Sequence, residues 1–223
     1  MSNMCGRFAL ATPLGQALAP YNTANLSNLE SMKPSWNVAP TQRPAVVHLD
    51  ESNPTGPFDV QRMTWGLRPS WARASTREPI NARVETVREK PMFRESFERR
   101  RGALPMDGWY EWRTTPVGQQ PWYNTHTSGE VMFAAIVHDE WTEANDRHPS
   151  FAMLTTAANE DCARIHHRMP VLLGPGELAD WIRSGQLPSP TSAGTVNCFA
   201  VSREVNNVQN DHERLIQPLP TLF

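Results

Sequence analysis

Twenty prolines are scattered through the 223 residues, and they constrain the fold more than any other feature. Proline lacks a backbone N–H, so it interrupts helices and the interior of sheets and divides the chain into short elements. Long amphipathic helices are therefore not expected. One short helix is predicted around Pro91 to Arg101, where Phe93 and Phe97 share a face. Another is predicted from Gly176 to Ser184, directly after a proline.

Most of the other ordered stretches have the composition of β-strands. The predicted strands cover residues 43–49, 122–125, 131–137 and 150–156. Ser128-Gly129-Glu130 predicts a hairpin turn between the second and third of them. This pattern indicates an α+β fold built mainly on antiparallel sheet. Residues 50–57 and 184–194 read as solvated loops, and neither divides the chain, so one domain over residues 1–223 is expected.

Charge and hydropathy restrict the class of protein. The formal net charge is −2, which excludes a bulk polyelectrolyte binder but leaves room for a local basic groove. No apolar run approaches the roughly 20 residues that span a bilayer, so no membrane partner is expected. The opening segment MSNMCGRFAL lacks the basic and apolar regions of a secretory signal. A cytoplasmic location is therefore expected.

The three cysteines, Cys5, Cys162 and Cys198, are widely spaced. An odd number without CxxC spacing argues against a disulfide framework and against a zinc site, and no cofactor or metal is expected. We interpret Cys162 and Cys198 as structural. Cys5 is either exposed and reactive or drawn into the fold, and position alone favours a free cysteine near a ragged terminus.

Cys5 would acquire special chemistry if the mature chain began with it. One residue would then carry both a free amine and a thiol. Such a 1,2-aminothiol condenses with an aldehyde to an imine, and the sulfur then closes a five-membered thiazolidine ring. As written, Met1-Ser2-Asn3-Met4 precede Cys5, whose nitrogen is then part of a peptide bond.

Five segments carry chemically unusual groupings of residues. They are Met4 to Phe8, Trp36 to Thr41, Trp65 to Trp71 together with Asn81 to Thr86, Asp107 to Trp112, and Ile165 to Pro170. In this order they resemble the SRAP family, the SOS response-associated peptidases that handle abasic sites in DNA. The resemblance extends from Cys5 to Pro218 and covers nearly the whole chain.

The resemblance implies a compact α+β domain with a β-barrel-like core and a positively charged cleft. It implies binding of single-stranded DNA and covalent trapping of abasic sites by the N-terminal cysteine, in a protein expected to be monomeric and to join the nucleoid on damaged DNA. Cys5 would be the nucleophile, Asn81 would orient it, Glu111 would be the acid/base, and His166 would be a second proton-transfer group. The implied DNA surface contains Arg7, Asn37, Pro40, Trp65, Trp71, Arg83, Thr155 and Arg168.

The residues taken singly leave ordinary alternatives open. Glu111 lies between two aromatic residues in an alternating strand, which alone favours a solvent-facing carboxylate; an inward orientation would raise its pKa. The neighbours His166 and His167 would point to different sides. Asn81 could cap a local turn, and Arg83 could pair with Glu85 across a surface strand. The tryptophans are more often core or cleft-wall residues than stacking platforms.

The residues before Cys5 leave three outcomes. Translation could start at Met4 and lose one methionine, the chain could cut its own Met4–Cys5 bond, or the extension could remain and block the chemistry. Three functions follow as hypotheses. The first is an abasic-site crosslinking protein with an associated lyase activity. The second is a cysteine peptidase acting in trans through Cys5, His166 and Asn81, and the third is a non-covalent single-stranded DNA-binding module.

Overall fold

Two β-sheets packed face to face form the body of the protein. The computed structural model describes residues 5–24, 26, 32–50, 52–73 and 76–220. The helices are α1 (Leu14–Leu18), α2 (Arg94–Arg99), α3 (Glu160–Ala163) and α4 (Glu177–Ser184), with 3-10 helices at Arg203–Asn206 and Glu213–Ile216. The strands are β1 (Arg7–Leu10), β2 (Thr23–Ala24), β3 (Ser35–Val38), β4 (Ala45–His48), β5 (Phe58–Arg62), β6 (Thr64–Trp65), β7 (Asn81–Arg83), β8 (Arg101–Met106), β9 (Gly108–Thr115), β10 (Gly118–His126), β11 (Met132–Glu143), β12 (Asp146–Ala157), β13 (Arg168–Pro170), β14 (Leu172–Leu173) and β15 (Val196–Ala200).

The strand order confirms an α+β fold that is mainly antiparallel. The smaller sheet has the order β15-β10-β9-β1-β3, and the larger has the order β13-β12-β11-β8-β4-β5-β2. Strand β14 also pairs with β11, while β6 and β7 lie alongside β12. The parallel pairs are β6 with β12, β7 with β12, and β2 with β5. Neither sheet closes on itself within the described residues, so the core lies between two open sheets.

The larger sheet is apolar on both faces. On one face, Leu104, Met106 and Ile136 pack against the smaller sheet. On the other, Ala103 and Ala135 pack toward α2 and α4. A strand that is buried on both faces has a continuous run of apolar residues instead of alternating apolar and polar residues. This explains the run of buried residues from Met132 onward in β11.

The outer face of the smaller sheet is covered by the C-terminal segment. Tyr110 and Tyr123 on this face pack against Val201, Val205 and Leu215, all of them buried. Side chains alternate along a strand, so the residues next to Tyr110 on β9, Trp109 and Glu111, face the larger sheet. The covering segment therefore fixes which face of β9 is directed inward.

Several predicted elements are confirmed. All four predicted stretches contain a strand: β4 lies within its stretch, while β10, β11 and β12 extend beyond theirs. Helix α4 runs from Glu177 to Ser184 between Gly176 and Gly185. Both glycines have positive φ angles, +85° and +73°, in the left-handed region that favours glycine. Helix α2 is shorter than predicted, because Arg101 already begins β8. That the chain is one domain stays a prediction.

The predicted hairpin around Ser128-Gly129-Glu130 is wrong. A turn does occur there, since the Gly129 N–H donates to the His126 carbonyl at 3.0 Å. However, β10 belongs to the smaller sheet and β11 to the larger one, so the two strands do not pair. The turn carries the chain from one sheet to the other, which local turn chemistry does not reveal. In the described part of the chain, no helix is long and apolar enough to cross a membrane.

Candidate active site between the two sheets

The pairing of β1 with β9 brings Cys5 to Glu111. Arg7 lies opposite Tyr110 in this antiparallel pair, so the residues just before Arg7 run alongside the residues just after Tyr110. Glu111 points toward the larger sheet because it alternates with Tyr110 along β9. The solvent-facing orientation that its aromatic neighbours favour is therefore wrong: the residue is only 3% exposed.

The backbone nitrogen and the sulfur of Cys5 both contact one oxygen of Glu111. The backbone nitrogen donates to Oε1 at 2.8 Å, and Sγ donates to the same oxygen at 2.7 Å. Cys5 is 1% exposed, so it is drawn into the fold rather than left at a ragged terminus. Its φ angle is +41°, a left-handed conformation that is uncommon for a residue with a side chain.

Burial sets the protonation of this pair. Desolvation raises the pKa of Glu111 to about 8, while the two hydrogen bonds from Cys5 oppose that rise. Burial also raises the pKa of the Cys5 thiol well above its usual value, and the charge of Glu111 adds to this. The charge of Arg168 acts in the opposite direction on the pKa of Cys5. A neutral thiol beside a carboxyl group that can gain or lose a proton near neutral pH follows from these shifts.

His166 lies on the other side of the same carboxyl group. Its Nδ1 is 4.0 Å from Oε2 of Glu111, an oxygen that has no hydrogen-bond partner among the described residues. Burial lowers the pKa of His166, which favours the neutral imidazole. The backbone N–H of Arg168 donates to Nδ1 at 3.2 Å and fixes the ring. His167 is exposed, so the structure places the first of the two histidines inside.

Arg168 supports the site from the adjacent strand, β13. Its guanidinium makes a bidentate pair with Glu85, at 2.6 and 2.9 Å, and donates to the Thr155 carbonyl at 2.6 Å. Bidentate geometry fixes the guanidinium plane. Glu85 therefore pairs with Arg168, and the predicted pairing of Arg83 with Glu85 is not the principal one.

Strand β7 carries the two remaining predicted residues. It runs parallel to β12, with Asn81 beside Met153 and Arg83 beside Thr155. Asn81 is half-buried and Arg83 is exposed. The structure thus brings Cys5, Glu111 and His166 together and places Asn81 on a strand rather than at the cap of a turn. Its orienting role stays a prediction.

The residues predicted to contact DNA fall into two groups. Trp71 is 53% exposed, Arg83 is exposed, and Pro40 is half-buried. Trp65 and Thr155 are fully buried, and the Trp65 indole donates to the Ile80 carbonyl at 2.9 Å. Trp65 therefore offers no face for a base to stack on.

Arg7 and Asn37 have a structural explanation. The Asn37 side chain donates to the carbonyls of Val205, Asn207 and Asn210, and it is 1% exposed. Arg7 donates to Oδ1 of Asn37 at 2.7 Å and to the Val205 carbonyl at 2.8 Å. Together these two side chains fasten the C-terminal segment to the smaller sheet.

Sequence reasoning missed two neighbours of the site. Glu85 was not recognised as the partner of Arg168, which lies 83 positions later in the chain. Trp122 was not placed opposite Glu111, although the pairing of β9 with β10 puts it there. Only the strand registers bring these residues together, and no local motif encodes a register between distant strands. Among the described residues, no group of three His, Cys, Asp or Glu side chains is arranged to hold a metal ion.

The raised pKa of Glu111 predicts a pH-dependent stability. Between pH 4.5 and about 8 the unfolded chain has released this proton while the folded protein still holds it, so stability falls as pH rises. Glu111→Gln keeps an acceptor for Cys5 but cannot titrate. We expect the parent to lose unfolding free energy relative to Glu111→Gln between pH 5 and pH 8, measured by urea denaturation.

The exposed carboxylate Glu130 supplies the control. Glu130→Gln should follow the parent across the whole pH range. Parallel stability curves for the parent and Glu111→Gln would show that Glu111 does not hold its proton in the folded state.

Comparisons with known proteins identify the family of this chain. Residues 4–208 match the family model described as SOS response associated peptidase (SRAP). The chain is 31% identical over 227 residues to the abasic site processing protein YoqW of Bacillus subtilis, covering 96% of this chain and 99% of that protein. It is 30% identical over 243 residues to the abasic site processing protein YedK of Escherichia coli, covering 97% and 100%.

A crystal structure of a protein from Bacteroides thetaiotaomicron has the same fold. It superposes with a TM-score of 0.83 at 22% sequence identity and covers 97% of this chain and 100% of that one. Fold, family model and full-length similarity therefore agree, and the chain belongs to the SRAP family.

Proposed function

We propose that this protein processes abasic sites in single-stranded DNA by forming a covalent crosslink through Cys5. One observation carries the proposal: the nitrogen and the sulfur of Cys5 lie 2.8 and 2.7 Å from the same oxygen of Glu111. Once the Met4–Cys5 bond is cut, this nitrogen becomes an amine, and two nucleophiles of one residue then share one proton acceptor. The relatives named abasic site processing proteins support the choice of substrate.

The proposed reaction joins the ring-opened abasic sugar to Cys5. The free amine attacks the aldehyde carbon and forms a carbinolamine, which loses water to give an imine. The thiol then adds to the imine carbon while its proton passes to the nitrogen, and a thiazolidine closes. In sum, an aldehyde and an aminothiol give the ring and one water. The product removes an aldehyde that is prone to β-elimination and strand breakage.

Glu111 and His166 supply the proton transfers. Oε1 of Glu111 contacts both nucleophilic atoms, so it can accept a proton from either and return one to the departing hydroxyl. A pKa of about 8 suits a group that must both gain and lose protons at neutral pH. His166, 4.0 Å from Oε2, would assist the opening of the sugar ring.

The amine must first be released from the Met4–Cys5 peptide bond. Translation from Met4 followed by loss of that methionine would expose it, and the family match beginning at residue 4 supports this route. Self-cleavage is the alternative. The thiol would attack the Met4 carbonyl, the bond to nitrogen would break, and water would hydrolyse the resulting thioester.

The backbone at Cys5 favours cleavage of this bond. A left-handed conformation in a residue other than glycine costs on the order of 1–3 kcal/mol. The φ angle of +41° exists only while the Met4 carbonyl is attached to the Cys5 nitrogen. Cutting that bond therefore releases the strain while leaving the contact to Glu111 in place.

The DNA surface would be formed by the accessible predicted residues. Arg83 is exposed on β7, next to Thr155, the residue whose carbonyl holds Arg168. Trp71 offers an exposed indole on which an unpaired base could stack. An exposed basic group on the strand next to Thr155 and an exposed indole elsewhere on the surface fit a single strand with unpaired bases.

The crosslink is tested directly with protein that begins at Cys5. It is incubated under reducing conditions with single-stranded DNA carrying one abasic site and then run on a denaturing gel. We expect a heat-stable shifted band that is absent with Cys5→Ala and present with Cys198→Ala, a substitution of another buried cysteine.

Other results would indicate other functions. DNA binding without this band would indicate a non-covalent module, and a shortened DNA strand would indicate lyase activity. Cleavage of an unrelated peptide without an adduct would indicate a peptidase acting in trans.

The proton-transfer roles predict slower crosslinking with unchanged binding. Glu111→Gln and His166→Ala should each reduce the single-turnover rate by about 10²-fold, since general acid–base groups typically contribute 10²–10⁴-fold. The exposed His148, seven positions before Thr155 on β12, provides the control, and His148→Ala should react at the parent rate. Parent-like rates in either of the first two variants would remove that residue from the mechanism.

Arg83 is predicted to contact a phosphate. Arg83→Ala should weaken binding to single-stranded DNA and reduce the slope of log K against log salt by about 0.7, the value for one phosphate contact. Arg147 lies on β12 eight positions from Thr155, about 26 Å along the strand. Arg147→Ala should leave the slope unchanged, and equal slopes for both variants and the parent would argue against Arg83 as a contact.

A further inference from the structure

Cys162 and Cys198 lie side by side although 36 positions separate them in the chain. Cys162 is on α3 and Cys198 is on β15, and their sulfur atoms are 3.9 Å apart. Both thiols are free and buried. The site described above uses neither of them.

The surroundings of the pair make one thiol the better nucleophile. The hydrogen bond from Cys162 and the nearby Arg164 guanidinium lower the pKa of Cys198, whereas the same hydrogen bond raises the pKa of Cys162. Arg164 donates to the Cys198 carbonyl at 3.2 Å, which holds its charge close to this thiol. The thiolate is the form that attacks an oxidant.

We propose that Cys162 and Cys198 are an oxidation site, which a hydroperoxide converts to a reversible disulfide. The Cys198 thiolate attacks one peroxide oxygen and becomes a sulfenic acid, and the other oxygen leaves as hydroxide or alkoxide and takes up a proton. The Cys162 sulfur then displaces the sulfenic hydroxyl, which leaves as water. Two thiols and one hydrogen peroxide thus give one disulfide and two waters. A thiol reductant reverses the step.

The oxidation site is linked to the candidate active site through the backbone. The carbonyl of Cys162 accepts hydrogen bonds from the backbone N–H groups of Ile165 and His166, at 2.9 and 3.1 Å. Closing the disulfide must bring the sulfurs from 3.9 Å to about 2.05 Å. Any shift of Cys162 is therefore passed directly to His166.

Helix α3 is the side that would move. It is a single turn of four residues, whereas Cys198 sits in β15, which is paired along its length with β10. Short helical turns open and shift at a lower free energy than paired strands do. We therefore expect oxidation to displace His166 from its position 4.0 Å from Glu111. The effect of this movement on activity rests on the proposed function, whereas formation of the disulfide does not.

Peptide mapping tests the disulfide. Reduced protein is treated with hydrogen peroxide, its remaining thiols are alkylated under denaturing conditions, and it is digested with trypsin. We expect residues 148–164 and 184–203 to appear as one linked species, two hydrogens lighter than the sum of the two peptides. Dithiothreitol should abolish it, and Cys198→Ala should not form it. Separate alkylated peptides, or a link from Cys5 to Cys162, would overturn the proposal.

The crosslinking rate tests the link to His166. Cys198→Ala treated with peroxide in the same way is the control, because it reports any loss of rate caused by oxidation of Cys5. We expect the oxidised parent to crosslink abasic DNA at least about tenfold more slowly than treated Cys198→Ala, with recovery after dithiothreitol. Equal rates despite a mapped disulfide would overturn the link. Absence of any crosslink in reduced protein would refute the proposed function, and the peptide map would still decide the disulfide.

Discussion

The hydrogen bonds from Cys5 to the carboxyl group of Glu111 are the interaction on which the site depends. A buried carboxylate without partners is destabilising, and so is a buried thiolate. In this site the carboxyl group and the thiol are partners, because Oε1 of Glu111 accepts hydrogen bonds from both the nitrogen and the sulfur of Cys5. The arrangement keeps the thiol protonated and leaves the carboxyl group able to exchange a proton near neutral pH. Cys5 is therefore held as a neutral thiol beside a carboxyl group that can titrate.

The C-terminal segment and the larger sheet determine which side chains of the smaller sheet point inward. The C-terminal segment covers the Tyr110 face of the smaller sheet, so Glu111 must face the larger one. The larger sheet in turn brings β12 and β13 beside each other, and β13 begins at Arg168, two residues after His166. Residues from the beginning, the middle and the last third of the chain thus meet between two sheets. Such a site needs long-range strand pairing rather than a contiguous motif.

Helices and strands could be predicted from the sequence better than the pairing of the strands and the faces that they bury. Runs such as Met132 to Val137 read as a buried strand because apolar β-formers are continuous there, and the glycines around α4 mark its ends. The direction of Glu111 could not be read from its aromatic neighbours, since alternation along a strand does not say which face is covered. The predicted hairpin after β10 is wrong for a related reason. Turn residues indicate that the chain reverses direction, but they do not indicate which sheet the next strand joins. The family resemblance predicted that Cys5, Glu111 and His166 form one site, and in the structure these three side chains lie next to one another.

The attachment of Arg7 to the Val205 carbonyl has a consequence for biosynthesis. The two residues are 198 positions apart, and this contact, with that to the neighbouring Asn37, fastens the C-terminal segment to β1, which is itself paired with β3 and β9. A growing polypeptide has therefore left the ribosome almost entirely before this segment can cover the smaller sheet. His166 and Arg168 also come late in the chain, so the groups around Cys5 meet only when synthesis is nearly complete.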